Sequence, residues 1–324
     1  MRWLTIAVAV LAVLWGGYWW VGSTGLERGL LRAVEGGRDA GWRIEYADLS
    51  VSGFPNRFDT SAADLTVSPP DGSWVWQAPY VQAYALSYRP NRVIVAFPSE
   101  QVVDGPLGRV DVTAADMRLS AAVRAEGDLP LDRATWVAEG LGLAFPWGTI
   151  GAEGAQVAIR EAGAPGAYDV AVTVSDAVIP SEASEGSGPD LPGTVEAATL
   201  DATVTLDRAL DRTLGAQPNL VALDLRDATL VWGAVEVTAQ AALAVGTDGL
   251  ADGEVVVEIA DVDAVLPLLE RGVPAGQRAF VEGLLRAAPV DGRAGSGSVR
   301  LAIQENLVLF GPFPVASLPR FGTR

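Results

Sequence analysis

From Trp42 onward apolar residues recur at every second position, segment after segment, and that period leaves the backbone little choice but extended strands. The clearest run is 196–207. Ala198, Leu200, Ala202, Val204 and Leu206 take one parity, while Thr199, Asp201, Thr203, Thr205 and Asp207 take the other. Successive side chains of a strand alternate faces, so this segment reads as antiparallel with one face sheltered and one wet. The run 235–245 repeats it, with Val235, Val237, Ala239, Ala241, Leu243 and Val245 opposing Glu236, Thr238 and Gln240. Tyr80, Gln82, Tyr84, Leu86 and Tyr88 likewise oppose Val81, Ala83 and Ala85, and the alternation resumes after Arg89-Pro90-Asn91 at Val93, Val95 and Phe97. About a dozen such strands, spaced by Gly, Pro and Asp turns, predict a mainly β body over 42–324: a long curved antiparallel sheet.

Two stretches break the period. Residues 181–193 are polar and turn-rich, which predicts a loop between halves 42–180 and 194–324. Residues 261–287 return to helical spacing. Val262, Val265, Leu266 and Leu269 form one stripe, and Phe280, Val281, Leu284 and Leu285 form another after Pro274. They predict a helical hairpin that caps the open end of the sheet before strands at 298–304 and 306–310. The closing Phe310-Gly311-Pro312-Phe313-Pro314 to Pro319 reads as an apolar tail suited to covering a sheet edge.

Ahead of this body, Arg2 precedes an uncharged run, residues 3–21, that closes on Trp15-Gly16-Gly17-Tyr18-Trp19-Trp20. As a helix at ~1.5 Å per residue the run covers roughly 30 Å, the thickness of a bilayer's hydrocarbon core. Its closing aromatics suit the far interface. Residues 1–22 are therefore expected to be a transmembrane anchor. The rival is a cleavable signal peptide cut near Val21-Gly22-Ser23, although the run is long for one and bulky rings crowd that site. Arg2 is the only charge before the run, which places an anchor's N-terminus in the cytoplasm, and either reading exports everything from Gly22 onward. Next, Thr24 and Glu27 sit at capping-box spacing, and Leu26, Leu30 and Val34 recur every four residues. That predicts a short amphipathic connector helix within 23–41, ending near Gly36-Gly37.

The composition excludes more chemistry than it suggests. There is no Cys and no His, and every basic residue is Arg. Thiolate and histidine nucleophile systems, Cys or His zinc sites and lysine Schiff bases are out of reach. Forty acidic residues against 23 basic ones give a net charge of −17, a field that repels nucleic acid and anionic headgroups, so the bulk surface is not expected to bind DNA or a membrane surface. Asp248, Asp252, Glu254, Asp261 and Asp263 cluster closely, but at neither calcium-loop nor calcium-repeat spacing, so turns and wet strand faces explain them better than a metal. The glycines of Gly151-Ala152-Glu153-Gly154 and of 292–297 read as turns rather than phosphate cradles. No catalytic, cofactor-binding or metal-ligating residue is assigned, and a non-catalytic protein is expected. A carboxylate-based envelope hydrolase is the remaining enzymatic option, and it would need two buried carboxyls facing each other across a cleft. The sheltered parity is rich in Ala, Val, Thr and Gly. This fits either a thin sandwich or an open face that accommodates acyl chains.

The segments Glu45-Tyr46-Ala47-Asp48-Leu49-Ser50-Val51-Ser52-Gly53-Phe54-Pro55-Asn56-Arg57-Phe58-Asp59, Trp76-Gln77-Ala78-Pro79 and Leu86-Ser87-Tyr88-Arg89-Pro90-Asn91 resemble an alphaproteobacterial family, domain-of-unknown-function family 2125. The resemblance extends over nearly the whole chain, to Gly311-Pro312-Phe313-Pro314-Val315-Ala316-Ser317-Leu318-Pro319, and implies no activity and no catalytic residues. More loosely, the order of anchor, short helix, turn and long sheet is similar to AsmA-like envelope proteins. That similarity implies phospholipid movement along an apolar groove, although this chain is far shorter than the bridging members. The expectation is a single-pass inner-membrane protein with its bulk in the periplasm. Its partners would be the membrane, lipid acyl chains on an apolar sheet face, or an envelope protein held by a strand edge or the 261–287 hairpin.

Overall fold

A computed structural model describes residues 2–179, 192–212, 218–272, 278–287, 290 and 293–321. All but two residues of the polar stretch expected to be a loop, 181–193, lie outside them. Helix α1 runs without interruption over Arg2–Asp39, so the anchor and the connector expected on either side of Gly22 are one helix. Continuity leaves the Glu27 amide inside the helical ladder, and Thr24 has no free helix start to cap. The Ser23 hydroxyl instead donates to the Trp20 carbonyl at 3.1 Å, a local back-bond that satisfies this buried side chain within the helix. Gly36 and Gly37 do not end the helix either. It stops in a Schellman turn, with the Trp42 amide on Gly37 O at 3.0 Å and the Gly41 amide on Arg38 O at 2.9 Å. Gly41, at φ +89°, supplies the left-handed residue this turn requires.

The remainder is mainly β, as the alternation predicts, with eighteen described strands and only antiparallel registers. It falls into two compact units, Met1–Ala125 with Trp136–Thr149, and Glu126–Thr135 with Ile150–Arg324.

In the first unit, β3 (Arg57–Ser68) is the spine. It pairs with β1 (Arg43–Glu45) and β2 (Asp48–Ser52) on one edge. Along its other edge it pairs with β4 (Val75–Leu86), from Arg57↔Leu86 to Val67↔Trp76. β4 then divides its free edge. Its C-terminal half pairs with β5 (Arg89–Ala96) and its first residues with β6 (Glu100–Gly105). The strands β7 (Gly108–Thr113), β8 (Asp116–Val123) and, from Trp136 on, β9 (Leu131–Phe145) follow. A small core of Ala114, Met117 and Ala138 lies among Phe97, Val112, Trp136 and Leu141.

The second unit is a meander in which each strand pairs with the next. It comprises β10 (Gly148–Glu161), β11 (Ala167–Val178), β12 (Thr194–Leu206), β13 (Leu220–Trp232), β14 (Val235–Val245), β15 (Ala251–Ile259), β16 (Gly297–Gln304), β17 (Leu307–Phe310) and β18 (Phe313–Ser317). Helices α2 (Val262–Gly272) and α3 (Arg278–Ala287) fall between β15 and β16, where helical spacing placed a hairpin. They cover one end of the apolar face of β14–β16, burying Val262, Val265 and Leu285 against Val235 and Ile259. At the other end Leu318 and Phe321 pack onto Leu243, Val245, Ala251, Ile303 and Val308. The apolar tail thus covers part of the sheet, and it also adds an edge strand of its own despite Pro314, which sits at a register shift where its missing amide is tolerated.

Candidate functional site

The aromatic end of the apolar run of α1 is bound to the β body. Trp15 Nε1 donates to Pro55 O, Trp19 Nε1 to Arg57 O and Tyr18 OH to Ser87 O, each at 2.7 Å. Phe54 meets the Trp19 ring edge-on at 5.4 Å, and Phe58 lies 6.4 Å from it. The Gly53-Phe54-Pro55-Asn56-Arg57-Phe58 segment, part of the family resemblance, therefore forms the β2–β3 turn and the start of β3, which receive α1. The Ser87 amide, on the β4–β5 turn, donates to Asn56 O at 3.0 Å and ties the two receiving turns together.

Tyr18, Gly22, Leu26 and Leu30 follow one another every four residues and line one wall of a cavity of about 470 Å³. That spacing keeps them on a single face of the helix. The facing wall comes from β3, β4 and β5: Phe58, Ala83, Ala85 and Val93, with Thr60, Ser87 and Pro90. The small parity of β4 thus faces the helix. Tyr80, Leu86 and Tyr88, on the other parity, are exposed. Gly22 sets how close the walls come, since a Cβ there would lie 2.7 Å from Phe58 Cζ. At this size the cleft falls in the range of small-molecule pockets. Among the described residues lining it, Ser87 Oγ is fully buried and without a hydrogen-bond partner. Phe58 and Ser87 could be marked as candidates from the motif, but their convergence on α1 depends on contacts 38 to 69 residues apart.

The acidic cluster is dispersed over structural tasks. Asp261 accepts the Asp263 amide at 2.9 Å and caps α2, and Asp263 pairs with Arg286 of α3. Asp248 and Asp252 accept turn amides, from Leu250 and Glu305, and Glu254 pairs with Arg300. Among the described residues no group of three potential ligands could hold a metal. The turn expected at 292–297 contains Gly297, where a Cβ would lie 2.2 Å from Leu285 O, so its glycine serves the approach of α3. The buried polar side chains described are Ser23, Ser68, Ser87, Gln101, Ser296 and Asn306, none of them a carboxylate.

The second unit carries a charged array that no sequence motif marked. Asp169 of β11 accepts from Arg160 at 2.8 Å, from Thr203 at 2.9 Å and from Arg226 at 3.3 Å. Arg226 also binds Asp201. The Arg160 hydrogen bond, then the Thr203 hydroxyl, lowers the Asp169 pKa, and Arg226 lowers that of Asp201. Arg226 sits at a β-bulge in β13, where residues 226 and 227 lie between the pairs Leu225↔Ala241 and Ala228↔Ala239. A bulge re-aims the side chain it carries. A sequence signal existed, because the apolar parity switches from Leu223 and Leu225 to Ala228 and Leu230. The array is open to solvent and saturated by its own partners, so it is a surface brace and the cleft is the better candidate.

Compared with known proteins, the chain matches one family model, described as an uncharacterized protein conserved in bacteria (DUF2125), over residues 19–319. No curated protein and no solved structure matches it, so the looser likeness to AsmA-like proteins has no counterpart in these comparisons.

Proposed function

The chain belongs to this DUF2125 family, and from that premise we propose that it is a single-pass inner-membrane protein whose periplasmic β body holds lipid acyl chains beside α1 and so assists envelope assembly. One observation carries the reading: an apolar cleft of about 470 Å³, walled by α1 and the small face of β3–β5, begins where the apolar run of α1 ends. A chain leaving the bilayer along α1 would meet Leu26, Leu30, Ala83 and Val93 without crossing water. The half-buried face of β10–β13, including Val170, Val172, Leu200 and Leu223, is a second apolar surface of the kind such a protein needs. Retention of α1 is supported by Trp15, Tyr18 and Trp19, whose bonds to the body would be lost by cleavage near Gly22. Helix α1 is long and apolar enough to cross a membrane, and Arg2 as the only preceding charge favours a cytoplasmic N-terminus.

The test is native mass spectrometry of the full chain, delipidated in detergent and offered a fluorescent long-chain fatty acid. One-to-one adducts are expected, and Ala85→Trp, which fills the cleft, should weaken binding at least about tenfold, or ~1.4 kcal/mol. Delipidated protein that takes up no acyl chain would end the lipid reading. A second reading, a scaffold for an envelope protein, is favoured by β18, whose residues are all exposed. A partner strand adding there by augmentation would give a stoichiometric crosslink from position 315 and no lipid adduct.

A further inference from the structure

The uncharged run of α1, residues 3–21 after the charge of Arg2, needs nearly its whole length to cross a bilayer. A hydrocarbon core of ~30 Å takes about 20 helical residues. From Arg2 to Trp15 the axis advances only ~20 Å, and tilt shortens that further. Yet Trp15 already binds Pro55, and Tyr18 and Trp19 bind Ser87 and Arg57 within the next turn. The β2–β3 and β4–β5 turns are therefore fastened beside the last third of the span rather than beyond it.

The surface of these turns suits that depth. Phe54 is 61% exposed and Tyr88 57% exposed, beside Trp20 on the helix at 66%. Arg89 and Arg57, which also pairs with Asp59 at 2.7 Å, are exposed on the same two turns, in a chain whose net charge is −17. Aromatic rings with arginines around them match the bilayer interface, where rings lodge among ester groups and guanidinium groups meet phosphates. We infer that the Phe54 and Tyr88 turns are inserted into the headgroup layer of the leaflet next to the β body, with Arg57 and Arg89 on lipid phosphates. The inference rests on reading α1 as a membrane span. It adds that the body is sunk into the membrane surface, which places the mouth of the cleft at the level of the lipids.

The chain has no cysteine, so each introduced one is unique. Full-length Val8→Cys, Phe54→Cys, Tyr88→Cys and Leu107→Cys proteins are nitroxide-labelled and reconstituted into phosphatidylethanolamine–phosphatidylglycerol vesicles. Depth is then read from oxygen against nickel-chelate accessibility. Leu107 is an exposed apolar control on the β6–β7 turn, at the opposite end of β4 from Leu86. Position 8 should read as hydrocarbon and 107 as water, with 54 and 88 between them and several-fold above 107 in oxygen-to-nickel ratio. If 54 and 88 match 107 while 8 reads as hydrocarbon, the turns lie in water and the inference is wrong although the anchor stands. If 8 also reads as water, the span itself fails, and the inference with it.

Discussion

Two buried polar side chains show opposite solutions to the same cost. Asn306 is 5% exposed, and its amide oxygen accepts the Ala251 amide at 2.6 Å while its nitrogen reaches Gly249 O and Pro319 O. It also holds φ +68° in the β16–β17 turn, a left-handed conformation that Asn tolerates. Asn306→Ala should therefore cost about 1–3 kcal/mol, because it strands a buried amide and strains the backbone. Asn306→Gly should cost less, since only the bonds are lost. Denaturant titration of both variants separates the two contributions, and equal losses would mean that the turn conformation adds nothing. Ser87 is the unsatisfied case. Its amide and carbonyl are both used, but its hydroxyl is enclosed without a partner, at a desolvation cost of about 1–3 kcal/mol. In protein freed of lipid, Ser87→Ala should raise the thermal midpoint, with its CD spectrum unchanged. A lowered midpoint would show that the hydroxyl is bonded in the free protein.

At the scale of elements, β11–β13 are braced by the Asp169, Asp201 and Arg226 array. Both carboxyl pKa values lie below their ordinary 3.8 in the folded state, so the array stabilises the fold above pH 3.8. That contribution disappears as pH falls through the lower folded values. Arg226→Met should thus lower neutral-pH stability slightly and flatten its acid dependence below about pH 4. Stability curves at pH 7 and at pH 3 measure it, and an unchanged acid slope would exclude the array as its source. The strands themselves were legible because alternation is local: β14 occupies 235–245, where the pattern placed it, and β12 ends one residue short of the expected 207. The bulge at Arg226 was legible only as a parity switch. The union of anchor and connector was not, because the face of α1 at Gly22 packs against Phe58, on a strand 36 residues further along. The cleft was missed for the same reason. Most of its wall residues are ordinary small or apolar side chains, and only the fold brings them together.

For the molecule as a whole, the two units differ in what they owe to the N-terminal segment. The second has its own cores under α2–α3 and under the C-terminal tail. The first has a described core of three small or flexible side chains, Ala114, Met117 and Ala138, and it buries Phe58 near Gly22 of α1. Removing residues 1–22 takes away three hydrogen bonds of 2.7 Å, the Trp19 ring contacts and part of one cleft wall. At about 1 kcal/mol per hydrogen bond, plus about 2 kcal/mol for each large apolar side chain returned to water, several kcal/mol would be lost from the first unit alone. That is a large share of the 5–15 kcal/mol that stabilises an ordinary domain. The 23–324 chain should then melt in two steps, an early one that exposes β3–β5 to hydrogen exchange and a later one at the full-length temperature. A single transition at that temperature would mean that the 1–22 segment is dispensable. Were it dispensable, a mature protein beginning near Gly22 would be physically acceptable, and the cleft would be an open face. An intact N-terminus on the mature chain, together with the split melt of the shortened one, would make α1 an integral wall of the β body as well as its tether.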